Sequence, residues 1–219
     1  NAENNIRDFS NFKEIPAKIE EISLDLILNK DGSLTEVMEF RKSVDDEYFN
    51  KTVFFEYILS SDVDYNNVEV YNLDNNKALK RVDQFLDENC SDTYILNKIR
   101  NTIKVCMPVS KERGVDYKIS SLISPRYDYT NICPDYIVNH YVNYSFNTDT
   151  ENNYPFSLSV RGDDDLFFNV SGMNQNCSLD ELNYVNIPNG YKCEGYMSKS
   201  PLSYWDFSIS LVGIKNEYL

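Results

Sequence analysis

His140 is the only histidine in 219 residues, set in Val138-Asn139-His140-Tyr141. Any Ser–His–Asp or Cys–His device would have to be built on it, because these mechanisms need an imidazole as general base. The companion signals are missing. The sequence holds no G-x-S-x-G elbow, no G-x-G-x-x-G fingerprint and no Walker loop. One His and scattered Cys also fall short of the usual three-ligand open zinc site. His140 is therefore expected to be an exposed or hydrogen-bonded strand residue, and the chain is expected to be a non-enzyme with no cofactor or metal.

Carboxylates are abundant at 35, so two of them close in sequence say little. The densest run, Asp163-Asp164-Asp165, follows Arg161-Gly162. A glycosidase needs two carboxyls about 5–10 Å apart across a cleft, and a solvated loop is the simpler expectation here. Arg161-Gly162-Asp163 also spells the integrin-binding tripeptide, which requires an exposed loop tip. Asp62-Val63-Asp64-Tyr65-Asn66 imitates the opening of a calcium loop. Its sixth and twelfth places, which need Gly and Glu, are Asn67 and Leu73. A turn between strands is expected instead.

The cysteines are Cys90, Cys106, Cys133, Cys177 and Cys193, and no C-x-x-C occurs. Cys90 and Cys106 lie 16 residues apart, as do Cys177 and Cys193. This suits two hairpin-closing bridges and one leftover thiol, and it suits five thiols equally, since spacing does not fix proximity. In an oxidising exterior the expected pair is Cys177 with Cys193, because the Asn189-Gly190 turn lets the intervening segment fold back. Such a bridge would stabilise by roughly 3 kcal/mol. Five N-x-S/T sequons (Asn50, Asn89, Asn143, Asn169, Asn176) would accept glycans in a eukaryotic or viral source, but an Asn-rich chain produces several by chance.

The elements that must position these residues follow from composition. With 21 Lys+Arg the net charge is −14, which argues against a nucleic-acid groove and against docking on anionic lipid. The 17 Tyr, 12 Phe and single Trp supply enough ring surface to offset the entropy of ordering, so disorder is not expected. No stretch approaches the roughly 20 apolar residues that span a bilayer as a helix. The opening Asn1-Ala2 reads as a tag remnant, so the chain is expected to be part of a longer protein that carries the targeting signal and anchor.

Period-two alternation dominates. Ile22, Leu24, Leu26 and Leu28 share one face, Asn29-Lys30-Asp31-Gly32 supplies a turn, and Leu34, Met38 and Phe40 alternate on the return. Further strands are predicted at 51–59, 67–71, 94–96, 102–107, 115–122, 136–146, 155–161, 166–170, 191–197 and 203–214. Leu79, Val82, Phe85 and Leu86 match a short amphipathic helix, with a covered edge strand as the alternative. The expected fold is all-β, an antiparallel β-sandwich with at most one or two short helices. It is organised as residues 3–148, opening with the Asp31-Gly32 hairpin, and 149–219, as further strands of the same sandwich or a small second subdomain.

The run from Ile22-Ser23-Leu24-Asp25-Leu26 through Asp31-Gly32-Ser33 to Thr35-Glu36-Val37-Met38-Glu39-Phe40 resembles the start of the N-terminal domain of YciQ-like predicted membrane proteins. The resemblance covers about twenty residues. It implies an extracytoplasmic β-sandwich followed by membrane helices, in a family with no established activity. The function expected from it is a non-catalytic ectodomain of a membrane-anchored bacterial or archaeal protein, used for binding a protein or surface ligand or for assembly. The alternative is a secreted binding protein, an adhesin or viral immune modulator, whose acidic surface steers it to a basic partner.

Overall fold

The computed structural model describes residues 17–49, 52–85, 90–109, 114–124, 137–147, 154–175, 179–187, 189–197 and 204–215. They form β1 (Ala17–Leu28), β2 (Leu34–Val44), β3 (Thr52–Ile58), β4 (Val63–Asn72) and β5 (Lys77–Ala78). Then come β6 (Lys80–Arg81), β7 (Thr93–Asn97), β8 (Thr102–Pro108), β9 (Val115–Ile123) and β10 (Ile137–Asn147). β11 (Tyr154–Gly162), β12 (Leu166–Gln175), β13 (Leu179–Ile187), β14 (Gly190–Met197) and β15 (Tyr204–Lys215) follow. A three-residue 3-10 turn at Asp46–Tyr48 is the one helical element among the described residues. The chain is an all-β, mostly antiparallel sandwich.

The β1–β2 hairpin forms as its alternation dictates. Ile22, Leu24, Leu26, Leu28 and Leu34 are fully buried, and Met38 and Phe40 are buried as well. Burying each such side chain contributes about 1.5–3 kcal/mol. The turn closes by Asn29 N–H donating to the Ser33 carbonyl at 2.8 Å and Gly32 N–H to the Asn29 carbonyl at 2.9 Å. Asp31 Oδ1 accepts from Ser33 N–H at 2.9 Å, and Gly32 takes φ +87°, which a residue with a Cβ adopts only at a cost.

Hydrogen-bonded order in the largest sheet is β13-β14-β11-β1-β2-β9-β4-β5. Its β1–β11 seam is parallel, in register from Ile22↔Phe156 to Leu28↔Gly162. Two compact units divide the chain: Asn1–Ile19, Phe40–Leu59 and Glu69–Ile119 in one, and Glu20–Glu39, Ser60–Val68 and Ser120–Leu219 in the other. The first contains the four-stranded sheet β3-β8-β7-β6. Here Tyr117 stacks between Phe40 and Phe55, with ring centroids 5.1 and 5.6 Å away. A separate cluster joins Phe85, Cys90, Ile95 and Cys106, with Phe54 and Val82 packed against it.

The expected helix around Leu79–Phe85 is not formed. Residues 77–78 and 80–81 are short strands, and Leu79 N–H donates to the Val70 carbonyl at 2.8 Å. The apolar spacing that mimics a helix instead sends Leu79 and Phe85 into buried positions, while Val82 is half-buried. Leu86 lies outside the described residues.

The second unit contains the three-stranded sheet β10-β15-β12, with β15 central. β10 and β15 pair antiparallel from Ile137↔Ile214 to Asn147↔Tyr204. β13 was not foreseen. Asp180, Glu181 and Asn183 blur its alternation, and its pairing with β14 shifts register between Asp180 and Asn183.

Candidate functional site

β2 carries a carboxyl where its alternation calls for an apolar residue. Glu36 falls on the same face as Leu34 and Met38 and is only 2% exposed. Three hydroxyls from other parts of the second unit converge on it. Ser60 Oγ–H donates to Oε2 at 2.8 Å, Tyr144 O–H donates to the same oxygen, and Ser121 Oγ lies 3.5 Å from Oε1. Burial raises the Glu36 pKa above the ordinary 4.5, and the hydrogen bonds from Tyr144, Ser60 and Ser121 oppose that rise. The arrangement joins β2, β9, β10 and the turn before β4 through one acceptor.

His140 stands four residues before Tyr144 on β10, and the intervening Val142 is buried too. His140 is 2% exposed, with Nε2 2.6 Å from the Gly32 carbonyl oxygen. A carbonyl only accepts, so this nitrogen carries the proton and donates it. The histidine thus fastens β10 to the tight turn of the first hairpin, the hydrogen-bonded strand role expected of it.

Asp25 is exposed on the outward side of β1. Desolvation raises its pKa, and Lys192 and Arg161 pull it back. In register, Asp25 lies opposite Ser159 on β11, which lies opposite Lys192 on β14. Lys192 Nζ also bonds Glu194 Oε1 at 2.8 Å.

In the first unit, Lys42 is enclosed by rings. Its ammonium lies 4.5 Å from the Phe55 centroid, 5.3 Å from Phe40 and 5.4 Å from Tyr117. At 9% exposure it is a buried cation held against π faces, an arrangement that orders a core.

The acidic motifs resolve into turns. Asp163 Oδ1 accepts from Asp165 N–H at 2.9 Å, and Asp165 bonds exposed Lys30 at 2.9 Å. Arg161 and Gly162 belong to β11, and Gly162 pairs with Leu28, so the integrin-like tripeptide is not a loop tip. Asp62 takes φ +62° in the turn before β4. Asp64 accepts from Asn66 N–H at 3.0 Å and from the Asn67 amide at 2.5 Å. Among the described residues, no three His, Cys, Asp or Glu side chains form a group able to hold a metal.

Cys90 and Cys106 form a disulfide. It closes a loop between the segment preceding β7 and the middle of β8, inside the cluster of Phe85 and Ile95. Cys193 lies on β14 opposite Tyr184 and Leu158, while its expected partner Cys177 lies outside the described residues, as does Cys133.

No family model and no curated protein matches the chain. Among solved structures it is similar to a chain named as a protease from Parabacteroides distasonis. That match has 10% identity and a TM-score of 0.46, covering 88% of this chain and 40% of the other. It is also similar to an M1 zinc metallopeptidase from Deinococcus radiodurans, at 6% identity and a TM-score of 0.43, covering 92% and 44%. The chain therefore spans less than half the length of these structures. Such likenesses assign it no family and no activity.

Proposed function

We propose that this chain is a non-catalytic β-sandwich module of a membrane-anchored protein, working outside the cytosol in binding or assembly. The observation that carries the reading is the Cys90–Cys106 bridge, packed among Phe54, Val82, Phe85 and Ile95. Bridges of this kind form and persist in oxidising compartments and are rare in reducing ones. The hydrogen bonds at Glu36 and His140 support the non-catalytic half. Each group's bonding goes to partners within the fold, and both side chains are sealed from solvent. The β1–β2 hairpin, with its Asp31-Gly32 turn and buried inward face, is compatible with the extracytoplasmic sandwich of the YciQ-like proteins that its sequence resembles.

Thiol trapping tests the proposal. An alkylating reagent is added to living source cells before lysis, and the protein is then digested without reductant. The expected product is a linked peptide pair containing Cys90 and Cys106. Alkyl groups on both residues would overturn the compartment and the role built on it.

A further inference from the structure

The turn between β1 and β2 holds more hydrogen bonds than its closure requires. Asn29 and Gly32 N–H already close it, at 2.8 and 2.9 Å. Two further groups bear on the Gly32–Ser33 peptide itself. Ser33 Oγ–H donates to Asp31 Oδ1 at 2.5 Å, and the same carboxyl oxygen accepts from Ser33 N–H at 2.9 Å. From 108 residues away, His140 Nε2 donates to the Gly32 carbonyl oxygen at 2.6 Å. Ser33 and His140 are sealed from solvent, whereas Asp31 is exposed. We infer that Gly32–Ser33 is a self-cleavage site, at which the Ser33 hydroxyl attacks the peptide carbonyl that precedes it.

An N-to-O acyl shift needs a nucleophile, a base that can pass the proton on, and a donor at the carbonyl oxygen. A serine hydroxyl and the carbonyl carbon before it close a small ring, so nucleophile and target are joined in advance. Gly32 has no side chain to crowd that carbon. Asn29 Nδ2 donates to Ser33 Oγ at 3.0 Å, which fixes the hydroxyl oxygen with its proton on Asp31. Asp31 Oδ1 touches both the oxygen that loses a proton and the nitrogen that gains one. His140 Nε2–H meets the oxygen on which negative charge develops, in a site closed to water on that side.

The step balances without an oxidant or reductant. A Ser33 Oγ lone pair forms the new C–O bond to the Gly32 carbonyl carbon, and the Oγ proton passes to Asp31. The carbonyl π pair moves onto the oxygen held by His140. When C=O re-forms, the C–N bond breaks with its pair going to Ser33 N, which takes the proton from Asp31. The product is an ester of Gly32 on Ser33 Oγ with a free Ser33 amine. Water then cleaves the ester to a Gly32 carboxylate and restores the Ser33 hydroxyl. The reaction runs once, on the chain itself, and turns over no outside substrate, so it goes beyond the binding or assembly role without replacing it. After cleavage β1 still lies between β11 and β2, so the two pieces stay held by strand pairing.

Intact-mass spectrometry of the whole folded chain, incubated at neutral pH with and without hydroxylamine, tests this. In water the expected products are one piece ending in the Gly32 carboxylate and one beginning with the Ser33 amine, together one water heavier than the chain. Hydroxylamine should intercept the ester and leave a hydroxamate on Gly32. Ser33→Ala should abolish both products, and Asp31→Ala should slow them by about a hundredfold or more. Ser33→Cys keeps a nucleophile and should still cleave, which separates loss of chemistry from loss of fold. A chain that stays whole in both incubations overturns the proposal. Cleavage at this bond that survives Ser33→Ala overturns it as well and assigns the break to an outside protease. Thiol trapping reports on compartment and the fragments on the turn, so the two readings fail separately.

Discussion

Glu36 is held by burial and by three hydroxyl hydrogen bonds, and burial is the larger influence on its proton. Its folded pKa is raised, so the folded state binds the proton more tightly than the unfolded chain. That contribution to stability is complete below the ordinary value of 4.5 and is lost as pH rises through the folded value. Glu36→Gln keeps the shape and removes the titration. Denaturation midpoints of the natural protein should fall with rising pH across this window, whereas those of the Gln variant should not fall through this group. Parallel profiles would contradict the account. Glu36→Ala strands hydroxyl donors and should cost about 2 kcal/mol. The signal for this site was present in the sequence: the parity that turns Leu34, Met38 and Phe40 inward also turns Glu36 and Lys42 inward. Among 35 carboxylates, only that parity distinguishes Glu36. The partner of His140 was not legible, because it is a backbone carbonyl 108 residues away.

At the scale of elements, the Asp31-Gly32 hairpin was legible because turn chemistry and alternation agree locally. Gly32→Ala forces a Cβ onto a positive φ and should cost more than about 1 kcal/mol, read as a lower chemical-denaturation midpoint. An unchanged midpoint would mean the turn does not bear on folding. Gly114, at φ +91°, is a sharper case, since a Cβ there would overlap the Lys42 carbonyl oxygen. Around Leu79 the edge-strand alternative forms in place of the helix, because two strands of two residues are too short for period two to outcompete a chance helical spacing. Replacing Cys90 and Cys106 together by Ala should lower stability by roughly 3 kcal/mol, the value for a loop of this length. A loss near zero, measured by urea unfolding under non-reducing conditions, would show that the bridge constrains nothing. Spacing alone treats this pair and Cys177–Cys193 alike, and the Asn189-Gly190 turn favours the latter; the Cys90–Cys106 bridge is visible only in the tertiary packing of β8, and Cys177 lies outside the described residues.

At the scale of the whole molecule, the all-β class was readable from the aromatic-rich alternating runs, whereas the sheet order was not. The parallel seam between β1 and β11 joins segments more than a hundred residues apart, and nothing local specifies it. The central claim, that this sandwich works beyond the cytosol, is tested most directly by labelling source cells whose plasma membrane is intact with an amine-reactive reagent that cannot cross it. Lys30 and Lys77 are exposed. The account predicts that both are modified to the same extent before and after permeabilisation. Modification only after the membrane is opened would contradict it.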